Sequence, residues 1–142
     1  MTTRIISASL LKKLVDKASS VRRKAYAPYS GFHVGVAILT ESGKIFTGAN
    51  CETANHKSSC AERAAITAMT SAGERRIKAV VVSGPEKDVT TPCGSCRQDI
   101  REFSDLAVPV YCLNSDGKKI KRYTLADLLP DSFGPDNLKK GR

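Results

Sequence analysis

Cys60-Ala61-Glu62, read with Pro92-Cys93-Gly94-Ser95-Cys96, is the part of the chain around which the rest is arranged. Zn²⁺ favours thiolates and four-coordinate geometry, and a catalytic zinc keeps one position open for water. Three sulfurs plus one water meet that description. Glu62 lies two residues after the first cysteine, so it stands beside the metal without having to bind it. A carboxylate there can take a proton from the water and pass it to a substrate nitrogen. Two plainer readings compete. Cys-x-x-Cys alone also occurs in redox dithiols and structural zinc sites. A redox dithiol leaves Cys60-Ala61-Glu62 unexplained. A structural site needs a fourth ligand; His33 and His56 are the histidines available, and neither sits in a paired ligand motif. The catalytic reading accounts for both motifs together.

Both motifs fall at expected helix starts. Residues 60–72 read as a helix whose Ala61, Ala64, Ala65, Ala68 and Met69 form a small-residue stripe, ended by Gly73. Residues 93–103 read as another, introduced by Pro92. A helix N-terminus carries partial positive charge and free amides, which stabilise thiolates. Between the two helices, residues 77–82 are a β-branched strand. Upstream, residues 7–25 carry Leu11, Leu14, Val15, Ala18 and Val21 at helical spacing, with Ser7 or Ser9 as the cap. Residues 34–39 and 45–49 read as a hairpin about Glu41-Ser42-Gly43-Lys44. The polar stretch 50–59 leads directly into the first metal cysteine and is the loop best placed to touch a substrate. Downstream, strands over 108–113 and 119–123 flank the turn Asn114-Ser115-Asp116-Gly117, and Thr124 caps a short helix over 125–129. The tail from Asp131 is polar apart from Phe133 and Leu138. This order suggests an α/β chain with one mixed sheet covered by helices.

At 142 residues the chain is expected to be a single domain, 1–142, with a sizeable core. No apolar run approaches the roughly 20 residues that span a bilayer. Arg4, followed by only Ile5 and Ile6 before Ser7, does not read as an export signal. The expected compartment is therefore the cytoplasm, where thiols stay reduced. Five cysteines are an odd number, which disfavours a disulfide framework. With three on metal, Cys51 and Cys112 are expected to be ordinary packing residues. The net charge of +9 can attract polyanions. Its sources are scattered, over Lys12-Lys13, Arg22-Arg23-Lys24, Arg75-Arg76, Lys118 to Arg122 and Lys139-Lys140 with Arg142. None is interleaved with aromatics as a base-stacking platform would be. Solvated surface is the preferred reading, and a nucleic-acid partner is not expected.

Taken together, these residues resemble the cytidine deaminase family, the small zinc-dependent nucleoside deaminases, whose metal signature has an all-cysteine form. The similarity runs from about Tyr26 to Leu138. Tyr26-Ala27-Pro28-Tyr29-Ser30-Gly31-Phe32-His33-Val34-Gly35 is similar to the family's opening segment, and Cys60-Ala61-Glu62-Arg63 with Pro92-Cys93-Gly94-Ser95-Cys96-Arg97-Gln98 to its metal motifs. Leu128-Leu129-Pro130-Asp131-Ser132-Phe133-Gly134-Pro135 is similar to its C-terminal segment. The resemblance implies a three-layer α/β/α sandwich around a mixed five-stranded sheet, and a homotetramer. It implies Zn²⁺ on Cys60, Cys93 and Cys96, with Glu62 as the proton shuttle for hydrolytic deamination of cytidine and 2′-deoxycytidine at C4, in pyrimidine salvage. Three thiolates on Zn²⁺ leave a formal charge of about −1, and Arg63 and Arg97 resemble the family arginines that offset it. The resemblance also places Asn50 and Glu52 at the ribose hydroxyls, Phe32 near the base and the Ala61 backbone at the pyrimidine. Phe133 would reach a neighbouring subunit's site.

The chain departs from the family before the first metal cysteine. The usual pattern there is Asn-x-Glu-Asn-Ala-x-Tyr, and this chain has Asn50-Cys51-Glu52-Thr53-Ala54-Asn55-His56. Thr53 stands for an asparagine, His56 for a tyrosine, and the following stretch is one residue short. These changes leave the zinc chemistry untouched and bear on the ribose end, where His56 is a candidate contact to substrate or partner subunit. They keep open an alternative substrate, another aminopyrimidine or a modified nucleoside.

Overall fold

The computed structural model describes residues 5–138. The basic residues Lys139, Lys140 and Arg142 lie outside them. Among the described residues, five helices and five strands follow in the order α1 (Ala8–Arg22), β1 (Gly35–Thr40), β2 (Ile45–Ala49), α2 (Ala61–Ser71), β3 (Ile77–Ser83), α3 (Gly94–Glu102), β4 (Pro109–Leu113), β5 (Ile120–Thr124), α4 (Leu125–Leu128) and α5 (Pro135–Leu138). Ser7 is the cap of α1: its side chain accepts from the Leu10 amide. That helix ends at Arg22, three residues before the expected end. Thr124 and Asp127 form a reciprocal capping box on α4. The C-terminal α5 falls in the tail that sequence pattern left as polar.

The strands form one sheet in the order β2-β1-β3-β4-β5. The expected hairpin of β1 with β2 is present, and β4 and β5, the strands expected on either side of a turn, also pair antiparallel. β1 also runs antiparallel to β3. β3 and β4 are parallel, with α3 in the crossover.

The central strands are apolar at nearly every position because both faces are covered. Val36, Ile38, Val80, Val82, Val110 and Cys112 face one layer, where they pack with Ala65, Ile66 and Met69 of α2, Ile100 of α3, and Leu125 and Leu128 of α4. The alternate residues Ala37, Leu39, Ala79, Val81, Tyr111 and Leu113 face the other layer, where they pack with Leu14 and Ala18 of α1. This is the expected α/β/α sandwich, with α1 on one side and the metal-motif helices on the other. Cys112 is a core residue as expected; Cys51 is not, since it is exposed. Cys51 sits instead in short bridges to Tyr26 and Ser59, where pairing to the loop keeps it at the surface.

Two features of this frame place the site. Gly35 pairs with both Ala49 and Ser83, so the start of β1 and the ends of β2 and β3 meet at one edge of the sheet. Gly48 lets α2 lie flush on β2, because a Cβ there would run into the Ala65 amide and the Ala61 carbonyl. The N-terminus of α2 is thereby held over the same edge.

Candidate active site

The loop after β3 brings the second motif to that edge. Cys60 and Cys93 are the N-cap residues of α2 and α3, both in extended backbone, and neither side chain is used in capping. Their sulfurs are free to turn toward each other, and Cys96 joins them from the first turn of α3. The three sulfurs all lie within 4.8 Å of one another. Cys93 Sγ and Cys96 Sγ are 3.4 Å apart, far beyond the roughly 2.05 Å of a disulfide. Tetrahedral zinc with Zn–S bonds of about 2.3 Å asks for sulfurs about 3.8 Å apart, so the trio is of the right size and softness for Zn²⁺. Among the described residues no fourth Cys, His, Asp or Glu belongs to the cluster. His33 lies elsewhere, beside Arg22 and Arg23.

Thiol ionisation and metal binding are coupled at this point. Cys96 is 2% exposed, and burial pushes its thiol well up, with the Glu62 carboxylate adding to the rise. Burial also raises Cys60. Burial thus favours the protonated thiols of Cys60 and Cys96 over their thiolates, and binding of a dication releases those protons. Two helix N-termini point their partial positive charge at the same sulfurs.

Cys60 and Cys93 line a cavity of about 280 Å³, with Ser30, Phe32, Val34, Asn50, Glu52, Ala61, Glu62, Thr90 and Thr91, and Cys96 lies behind them. Glu62, in the first turn of α2, is 4% exposed. Burial holds its carboxyl above the usual carboxylate range, against the lowering effect of its own backbone amide and the Cys96 thiol. A carboxyl whose hold on its proton is strengthened by burial suits acid–base work.

Asn50 Oδ1 accepts from the Val34 amide and Nδ2 donates to the Phe32 carbonyl, both at 2.8 Å. Glu52 Oε1 accepts from the amides of Tyr29 and Ser30 at 3.1 and 3.0 Å, and Oε2 accepts from the Ser30 hydroxyl. These two side chains therefore build the wall that carries Phe32 while facing the cavity themselves. The hydrogen bonds from the Ser30 side chain and amide hold the Glu52 carboxyl below its ordinary value of 4.5. Its stabilising effect is full above that value and is lost as pH falls through the lowered one. Melting curves of Glu52→Gln against the parent chain should thus differ most at neutral pH and converge in acid. A gap that stays constant down to pH 3 would contradict this.

Arg97 reaches three parts of the structure, with Nε to the Pro92 carbonyl at 2.7 Å, one terminal nitrogen to the Leu128 carbonyl at 2.8 Å, and the other to Thr91 Oγ1 at 3.2 Å. It braces the cysteine turn. Arg63 is exposed and pairs with Asp99 at 3.1 Å. His56 stands apart, at φ 61°, in an adjoining cavity with Tyr29, Glu52, Thr53, Ala54 and Ser58. Phe133 is 59% exposed and lines no wall of the 280 Å³ cavity. Ser30, Val34, Thr90 and Thr91 were not singled out in the sequence as candidates. Hydrogen bonds to Glu52 and Asn50 place Ser30 and Val34 there, Thr90 and Thr91 come from the loop after β3, and local pattern carries no signal of these long-range contacts.

A family model described as the cytidine and deoxycytidylate deaminase zinc-binding region matches residues 8–112. The chain belongs to the cytidine deaminase family. A cytidine deaminase of Sporosarcina psychrophila is 40% identical over 90% of this chain and 94% of its own. A probable cytidine deaminase of Dictyostelium discoideum is 42% identical over 90% and 86%. The crystal structure of cytidine deaminase from Burkholderia pseudomallei superposes with a TM-score of 0.82 at 37% identity, over 90% of this chain and all of that one. Membership of the cytidine deaminase family makes this chain a hydrolytic deaminase with Zn²⁺ as cofactor, in agreement with the sulfur cluster.

Proposed function

We propose that this enzyme removes the C4 amino group of cytidine and 2′-deoxycytidine with water, giving uridine or 2′-deoxyuridine and ammonia. One observation carries the reading. Three sulfurs sized for Zn²⁺ cluster at a cavity that two of their cysteines, Cys60 and Cys93, line together with Glu62 from a helix N-terminus. Bound by Cys60, Cys93 and Cys96, the zinc supplies the Lewis acidity that makes water nucleophilic at neutral pH. Glu62 accepts a proton from the attacking water, gives it to the ring nitrogen, and assists departure of ammonia. Phe32 packs on the base, the Ala61 backbone meets the pyrimidine, and Asn50 and Glu52 face the ribose hydroxyls. Arg63 and Arg97 offset the charge of the thiolates, Arg97 through the cysteine turn that it braces.

The altered stretch 53–59 does not favour the alternative substrate, since none of its residues lines the 280 Å³ cavity. The proposal extends to a homotetramer in which Phe133 enters a neighbour's cavity and His56 lies near the ribose end, and to a cytoplasmic role in pyrimidine salvage. All five cysteines are free thiols, the state a reducing compartment maintains. Among the described residues no helix is long and apolar enough to cross a membrane. Incubating zinc-loaded protein with cytidine and following loss of its ultraviolet band tests the reading. Conversion to uridine with one ammonia per turnover is expected. No turnover at full zinc occupancy would reject the substrate.

A further inference from the structure

The C-terminal run lies along α3 and is held there by polar contacts. Arg101, on α3, is a charged residue only 8% exposed. Its Nε donates to Ser132 Oγ at 3.0 Å, and a terminal nitrogen donates to Asp136 Oδ1 at 2.7 Å. Gly134 lies so close to the guanidinium that a Cβ there would strike Arg101 Cζ. One turn earlier, Gln98 Nε2 donates to the Phe133 carbonyl at 2.8 Å. Arg97, next to it, holds the Leu128 carbonyl. One helix therefore carries metal cysteines at its start and grips residues 128–136 along its length.

Apolar burial does little to hold this arm. Its large apolar side chains, Phe133 and Leu138, are both 59% exposed, and α5 has four residues, too few to persist alone. A buried guanidinium is tolerated where a carboxylate meets it and strongly unfavourable where the partner is removed. The Arg101–Asp136 pair is thus the charged member of the contacts that hold the arm, beside those to Ser132 and the Phe133 carbonyl.

We infer that Arg101 is a positioning residue: with Asp136 and Ser132 it latches residues 131–138 onto α3 and so sets where Phe133 is presented. The consequence for catalysis rests on the proposal that Phe133 enters a second copy's cavity. With that entry, loosening the latch weakens substrate binding while leaving the zinc and Glu62 in place, so KM rises and kcat holds.

Asp136→Ala in the full, zinc-loaded chain is the direct test, because the Asp136 side chain is 72% exposed and its loss leaves the core packing alone. Amide exchange over 132–138 should quicken about tenfold or more, with β3 and β4 unchanged. KM should rise about tenfold with kcat within about twofold. Arg101→Lys, which keeps the charge but not the fork to Ser132, should fall between Asp136→Ala and the parent chain. Unchanged exchange over 132–138 in Asp136→Ala would overturn the latch. Phe133→Ala separates the two ideas. If it leaves KM unchanged, the second-copy reading fails and exchange alone decides the latch. If Phe133→Ala raises KM and Asp136→Ala does not, Arg101 does not position Phe133 and the inference is wrong.

Discussion

Glu62→Gln keeps its zinc and its fold and loses about three to four powers of ten in kcat. The amide has the shape of the carboxyl and still hydrogen bonds, but it cannot carry a proton from water to the ring nitrogen. Burial in the first turn of α2 keeps solvent from replacing it, since Glu62 is 4% exposed. Burial already disfavours the charged carboxylate, so a neutral side chain there does not lower the melting temperature. Steady-state rates with metal analysis on the same sample check this. Activity within tenfold of the parent at full zinc occupancy would remove Glu62 from the proton path.

Cys93→Ala should lose both the metal and the enzyme. Cys60 sits at the start of α2, Cys93 and Cys96 at the start of α3, so the ion joins two helices that otherwise meet by packing and the exposed Arg63–Asp99 pair. The expected result is zinc far below one per chain, no measurable turnover, and a melting temperature lower by about 10 °C. Chelator treatment of the parent chain should give a similar drop. Returning zinc should then release about two to three protons at neutral pH, because burial keeps Cys60 and Cys96 protonated without it. Full zinc occupancy in Cys93→Ala would overturn the ligand assignment.

The metal centre was legible in the sequence because its geometry is local. Cys93 and Cys96 lie three residues apart at a helix start, and Glu62 follows Cys60 within one turn, so spacing fixes their relation. The sheet was legible for a similar reason: strands covered on both faces read as continuous apolar runs. The rest of the cavity depends on long-range register. Thr90 and Thr91 reach it because the end of β3 lies beside the start of β1, a pairing no short window contains. The short helix α5 was not legible in the polar tail, because contacts from α3 hold that tail in place. Arg101, which no sequence motif singled out, turns inward to make them.

X-ray absorption at the zinc edge of the purified, active protein is the most direct measurement of the central claim. Three sulfurs at about 2.3 Å and one oxygen at about 2.0 Å are expected, with one zinc per chain. A shell of four protein ligands with no oxygen from solvent, or a protein that turns over without zinc, would contradict it.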